Sequence, residues 1–154
     1  MNQLRNIAKN LIFAVGISIF LNIVLGNYIV DGQSMAPTLN DSQRLFVNKF
    51  IYLKLPDSMS PYDRVFYNQP KRGQVVVFMP PYPYDSMGKS FVKRIIAGPG
   101  DTVENKSGII YVNDRPFMNN FGNTPEISEQ GVVIVPDNYY YVLGDNRNHS
   151  NDSR

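Results

Sequence analysis

Ser34 stands in Asp31-Gly32-Gln33-Ser34-Met35-Ala36-Pro37-Thr38-Leu39, and Lys93 in Phe91-Val92-Lys93-Arg94. A serine hydroxyl becomes a nucleophile only when a base takes its proton. Gly32 and Pro37 bracket Ser34 in a turn that can present both its hydroxyl and nearby N–H groups. A lone turn serine more commonly bonds the local backbone, so Ser34 needs a partner before it signifies catalysis. Lys93 is the candidate. Alternate side chains of a strand share a face, which sets Lys93 beside Phe91 and Ile95 and turns Arg94 the other way. An ordinary lysine, with a pKa of about 10.4, is no base at neutral pH. Burial among apolar groups lowers that value by up to about 3–5 units. The competing expectation is an edge-strand lysine facing solvent.

A third block closes the chain: Gly144-Asp145-Asn146-Arg147, then Ser150-Asn151-Asp152-Ser153-Arg154. It also holds His149, the single histidine. A triad of Ser34, His149 and Asp152 needs a geometry that nothing in the sequence supports. His149 lies between Asn148 and Ser150 in a polar turn, where a surface position is expected.

The three blocks, in this order, resemble the bacterial type I signal peptidases, the membrane-bound serine/lysine peptidases of family S26. The resemblance runs from about Leu11 to Arg154. It implies a serine endopeptidase that removes signal peptides from exported preproteins, with Lys93 as the general base for Ser34. It implies that Ser150 hydrogen-bonds Lys93, and that Asp152 and Arg154 form a salt bridge holding the block. Asp145 and Arg147 are expected to brace the same turn, although plain turn chemistry accounts equally well for Asp145 and Asn146. The oxyanion needs preorganised donors. The Ser34 N–H is one; some family members carry a hydroxyl residue where this chain has Gly32, so a second donor here is a backbone N–H, with Gly32 the candidate. Tyr28, Val30, Met35, Leu39 and Val92 match family positions lining a shallow apolar pocket for alanine-like residues, as Ala-x-Ala cleavage sites require. Ordinary packing is an equal reading for each. Implied partners are the preproteins, the phospholipid membrane and the export machinery, with no cofactor. In the family another apolar strand follows the Asp-Ser-Arg block, so Ser150 to Arg154 are expected to fray and the Asp152–Arg154 bridge to face solvent.

Composition narrows the partners. The chain has 154 residues and a net charge of +2. Arg5 and Lys9 are the only charged residues before Asp31, leaving 13 basic against 13 acidic in the remainder. That balance argues against a nucleic-acid surface, which needs a basic excess. With no cysteine there is no disulfide or thiol chemistry, and one histidine gives no zinc-binding set.

Asn10 to Val30 is 21 residues without a charge. About 20 such residues span the hydrocarbon core as a helix. Arg5 and Lys9 precede the run, so the positive-inside rule places residues 1–9 in the cytoplasm, 10–30 in a bacterial plasma membrane and 31–154 outside. A cleavable signal sequence is the alternative, but its apolar region is shorter, typically about 7–15 residues, and Leu25-Gly26-Asn27-Tyr28 offers no cleavage site.

Beyond the span, strands are expected at Arg44–Phe50, Gln74–Phe78, Phe91–Ile96, Ile109–Val112, Val132–Val135 and Tyr139–Leu143. Gly98-Pro99-Gly100-Asp101 and Asn113-Asp114-Arg115-Pro116 read as turns. Lys54–Arg72 and Pro80–Ser90 read as surface loops. The expected fold is therefore mainly β: a transmembrane helix, then a folded antiparallel sheet domain of the kind signal peptidases share with self-cleaving SOS repressors. Such a repressor is one competing function, weakened because a span replaces the DNA-binding helices. A membrane-tethered peptide-binding domain is the other; a serine-directed acylating probe would not label it.

Overall fold

In a computed structural model the described residues are 2–51, 69–81, 83, 88–117 and 130–154. They fall into two units. One comprises Met1–Tyr28 and Arg44–Gln69, the other Ile29–Gln43 and Pro70–Arg154.

In the first unit, helix α1 covers Asn2–Val24. Its apolar side chains, from Leu4 to Ile23, are exposed. Asn22, the polar interruption, donates its Nδ2 to the Ser18 carbonyl one turn back at 2.8 Å, so its amide is partly satisfied within the helix. The helix starts earlier than the uncharged run and stops sooner, because Leu25–Ile29 forms strand β1. It pairs with β2, Arg44–Asn48. An apolar run cannot by itself tell helix from strand. Here Gly26, a poor helix former, lies just where the change occurs. The Lys49 N–H then bonds the Val24 carbonyl at 3.0 Å, satisfying a group the helix end leaves open.

The second unit holds two antiparallel sheets. β3 (Val75–Phe78), β4 (Phe91–Ala97) and β9 (Tyr141–Leu143) form one in the order β3-β4-β9. The other, in the order β7-β6-β5-β8, contains β5 (Thr102–Lys106), β6 (Ile109–Val112), β7 (Arg115–Pro116) and β8 (Gln130–Ile134). Ile96, Ala97, Val103, Ile110, Val112, Val135, Tyr141 and Leu143 pack as one buried cluster. The expected antiparallel β architecture is present. β5 went unforeseen because Thr-Val-Glu-Asn-Lys is too polar to read as a strand, and β7 because it is two residues long. Ser107-Gly108 and Asn113-Asp114 close two hairpins with positive φ at both central residues, 49° and 84°, then 51° and 60°. That is the backbone a tight two-residue hairpin requires. The loop expected at Lys54–Arg72 falls largely on residues 52–68, outside those described, and the one at Pro80–Ser90 partly so.

Candidate active site

β4 carries Lys93 into the domain. Its last five residues, Lys93 to Ala97, are all buried, so the strand is covered on both faces rather than alternating. In the β3–β4 register Val76 faces Lys93 and Phe78 faces Phe91. The Phe91 ring centroid lies 5.3 Å from Lys93 Nζ, as strand alternation predicts.

Ser34 comes from the connection between β1 and β2. Gly32 turns the chain with φ +96°, a conformation glycine adopts without strain. The Ala36 N–H bonds the Gln33 carbonyl and the Leu39 N–H the Met35 carbonyl, closing two turns around the serine. Met35, the next residue, is fully buried. From the other side, the Asn146 N–H donates to the Ser34 carbonyl at 3.0 Å. The serine backbone is thus held by two segments far apart in sequence.

These elements converge on one contact: Lys93 Nζ donates to Ser34 Oγ at 2.8 Å. Lys93 is only 4 % exposed. Burial holds its amine below the ordinary lysine range, and the negative charge of Asp152 acts against that. A neutral amine at this distance can reverse the bond and accept the serine proton, which is what a general base must do.

Ser150 is placed beside the nucleophile, but the hydrogen bond expected from it to Lys93 is not formed. Its hydroxyl is buried and makes no hydrogen bond among the described residues. A Cβ on Gly144 would collide with Ser150 Oγ and the Ser34 carbonyl, so Ser150 is packed against the glycine and the serine backbone. Lys93 spends its bond on Ser34 instead.

Gly32 also departs from expectation. Its N–H donates to Asp41 Oδ1 at 2.7 Å, so it is committed to holding the turn and is not a free oxyanion donor. The Ser34 N–H makes no hydrogen bond among the described residues and stays available.

Asp145 and Arg147 each hold this turn through a partner of its own. Asp145, fully buried, accepts Arg94 Nε at 2.8 Å and Nη2 at 2.7 Å. Arg147 donates Nε to the Gly144 carbonyl at 2.9 Å. Arg94 was not singled out as a site residue, because strand alternation only turned it away from the Lys93 face. The first two residues of the Gly-Asp-Asn-Arg block are the signal that finds its partner and the close-packed glycine.

The Asp152–Arg154 pair exists but does not face solvent. The Asp152 side chain is 1 % exposed and that of Arg154 17 %. Arg154 grips both carboxylate oxygens and donates Nη2 to the Arg147 carbonyl at 2.6 Å, while the Gly144 N–H bonds Asp152 Oδ2. The Ser153 N–H bonds the Val142 carbonyl, tying this segment to β9. Backbone bonds of this kind replace the fraying that sequence position alone suggests. His149 is exposed, with Nδ1 3.3 Å from Asn146 Oδ1, and it is Lys93 that bonds the serine.

Of the residues expected to line a substrate pocket, Met35 and Val30 are buried and Leu39 and Val92 half-buried, while Tyr28 belongs to the first unit. An apolar concavity of about 240 Å³ lies elsewhere, bounded by Phe78, Phe91, Val142 and Asp152. Among the described residues no group of three acidic or histidine side chains could hold a metal ion.

A buried lysine against a turn serine, with a free N–H at the serine, is the apparatus of a serine/lysine hydrolase. The chain matches the model of the family described as signal peptidase, peptidase S26, over residues 4–154, and it belongs to that family. Signal peptidase I of Bacillus amyloliquefaciens is 34% identical to it over 158 residues, 96% of this chain and 75% of that protein. A probable signal peptidase I-2 of Synechocystis is 39% identical over 151 residues, 97% of this chain and 62% of that one. A crystal structure of a signal peptidase I from Enterococcus faecalis V583 is 27% identical, covering 56% of this chain and 85% of that one, with a TM-score of 0.46. The family match leaves the self-cleaving repressor and the simple binding domain without support.

Proposed function

We propose that this chain is a membrane-anchored serine endopeptidase that removes signal peptides from exported preproteins, with Ser34 as nucleophile and Lys93 as general base. The observation that carries the reading is the 2.8 Å contact between a buried amine and Ser34 Oγ. Neutral Lys93 takes the hydroxyl proton as Oγ bonds to the scissile carbonyl carbon. The carbonyl oxygen becomes an oxyanion, stabilised by the Ser34 N–H. Collapse breaks the C–N bond, and Lys93 gives its proton to the leaving amine, leaving an ester on Ser34. Lys93 then activates a water that hydrolyses the ester and frees the enzyme. Val30, Leu39 and Val92 would shape the preference for small residues of an Ala-x-Ala site, together with the buried Met35.

Helix α1, 23 residues long and exposed from Gln3 to Ile23, supports a single span in a bacterial plasma membrane. Arg5 and Lys9 favour a cytoplasmic amino terminus, placing residues 31–154 outside, beside the lipid surface and the outlet of the export machinery. The decisive experiment incubates a preprotein bearing an Ala-x-Ala site with membranes containing the chain or its Ser34→Ala variant. Size reduction by the former alone is expected; equal processing by both would discard the assignment. Protease added outside intact cells should reach the region after Asp31. Protection until lysis would overturn the topology.

A further inference from the structure

One face of the β3-β4-β9 sheet carries Lys93, and strand alternation puts Phe91 and Ile95 on the same side. Residues directly opposite in an antiparallel ladder also share a face. Phe78, opposite Phe91, and Val142, opposite Ile95, therefore belong to it too. The segment that follows the catalytic turn is tied to β9 from its outer edge. The Ser153 N–H bonds the Val142 carbonyl at 3.1 Å, and the Val142 N–H bonds Ser153 Oγ at 3.0 Å. Between these strands and that segment lies the apolar concavity of about 240 Å³, with Pro80 and Asn151 as further walls.

Its lining is shared unequally by the two members of the dyad. Phe91 and Asp152 bound the concavity, and both act on Lys93, one through its ring at 5.3 Å from Nζ and the other through its charge. Among the described residues, none from the Ser34 turn, Asp31 to Leu39, lines it. The space therefore lies on the base's side of the contact. Acyl-transfer chemistry gives that side an occupant. The base that takes the serine proton returns it to the leaving amine, so the leaving group lies against Lys93. The acyl part stays bonded to Ser34 and falls to the turn with Val30, Met35 and Leu39.

Size and polarity say what fits. Pockets that enclose a drug-sized ligand measure about 300–1,000 Å³, so this smaller space suits a single side chain. Asp152 is the one charged residue of the lining, and both its oxygens are taken by Arg154. An apolar group can enter without stranding that charge, whereas a polar one would lose its water with no partner in return.

We propose that this concavity is a subsite for an apolar side chain on the leaving-group side of the scissile bond, carried by the first or second residue after it. The inference rests on the proposed peptidase activity. It makes the enzyme read the start of the released protein as well as the end of the segment removed.

Preproteins sharing one Ala-x-Ala site would be made with Leu, Ala or Asn at the first or the second position beyond it, and processed by the full chain in detergent. At one of the two positions Leu should exceed Ala by about tenfold in kcat/KM, the scale on which apolar pockets discriminate by methylenes. Leu should also exceed Asn, which matches its branching but is polar. Asn151 and Pro81 are exposed at the rim, so Asn151→Phe or Pro81→Phe places a ring over the mouth. In either variant the Leu-to-Ala ratio should fall toward one, whatever the absolute rates. Equal cleavage of all three substrates at both positions would overturn the subsite while leaving the peptidase intact. A Leu preference unchanged in both variants would put the apolar contact elsewhere and overturn it as well. No cleavage of any substrate by the natural chain would remove the peptidase and the subsite together.

Discussion

Asp152 accepts Arg154 Nε at Oδ1 (2.8 Å) and Nη2 at Oδ2 (3.0 Å), a two-point grip on a carboxylate that is almost fully buried. The same carboxylate acts electrostatically on Lys93, favouring its protonated form. Two-point pairing with a guanidinium localises and opposes that negative charge. Arg154 thereby helps Lys93 remain a base.

Arg154→Gln should therefore leave Asp152 less opposed, and Lys93 should hold its proton to higher pH. The acidic limb of the kcat/KM profile should move upward by about one unit or more, the scale on which an opposite charge shifts a nearby group. Asp152→Asn added to Arg154→Gln should bring the limb back. An unmoved limb, with only the amplitude reduced, would mean that the bridge is purely structural.

Ser34 and Lys93 act on one proton, so their removals should not add. Ser34→Ala and Lys93→Ala should each abolish processing of a preprotein, and the double variant should be scarcely worse than either, as expected for members of one catalytic unit. Lys93→Arg should be equally inactive, because a guanidinium does not give up its proton in proteins. His149→Ala should retain near-normal turnover, since that ring is exposed and bonds Asn146. Retention of activity by Lys93→Arg in a single-turnover assay would refute the base.

Gly144 has no freedom to gain a side chain. A Cβ there would meet Ser150 Oγ and the Ser34 carbonyl at impossible distances, and one of these neighbours is backbone. Gly144→Ala must displace either the nucleophile or the segment that carries Asp152. A displacement of about 1 Å at a reacting group costs on the order of 100-fold in rate. A loss of that size in kcat is expected, accompanied by a fall in thermal stability, since overpacking costs about 1–3 kcal/mol. Near-normal kcat would show that Ser34 is not held through this contact.

The blocks around Ser34 and Lys93 were legible because the chemistry restricts residue type and order, and strand alternation alone put Phe91 beside the amine. What lay hidden were relations between segments. Arg94 was given no role because alternation reports opposite faces and not whether both are covered. Gly32 looked like an oxyanion donor because nothing local says that Asp41, nine residues on, already takes its N–H. The end of the helix was misplaced because β1 is as free of charge as the run before it, and only its pairing with β2 makes it a strand.

The lowered proton affinity of Lys93 also has a consequence for folding. In the unfolded chain its amine titrates near the ordinary value of 10.5, and in the folded chain burial moves it lower. Between the folded and unfolded values the unfolded chain binds one more proton, so the contribution of this group to stability rises with pH. Below the folded value both states bind the proton, and the cost of burying the charge is borne in full. Lys93→Met keeps the bulk and removes the titration. Its stability advantage over the natural chain should therefore be largest at low pH and should shrink as pH rises through the folded value toward 10.5. Urea unfolding of both proteins in the same detergent, followed across that range, measures the difference directly, and the other lysines largely cancel in the comparison. Parallel curves, or an advantage that grows with pH, would mean that the Lys93 amine is not depressed in the folded protein.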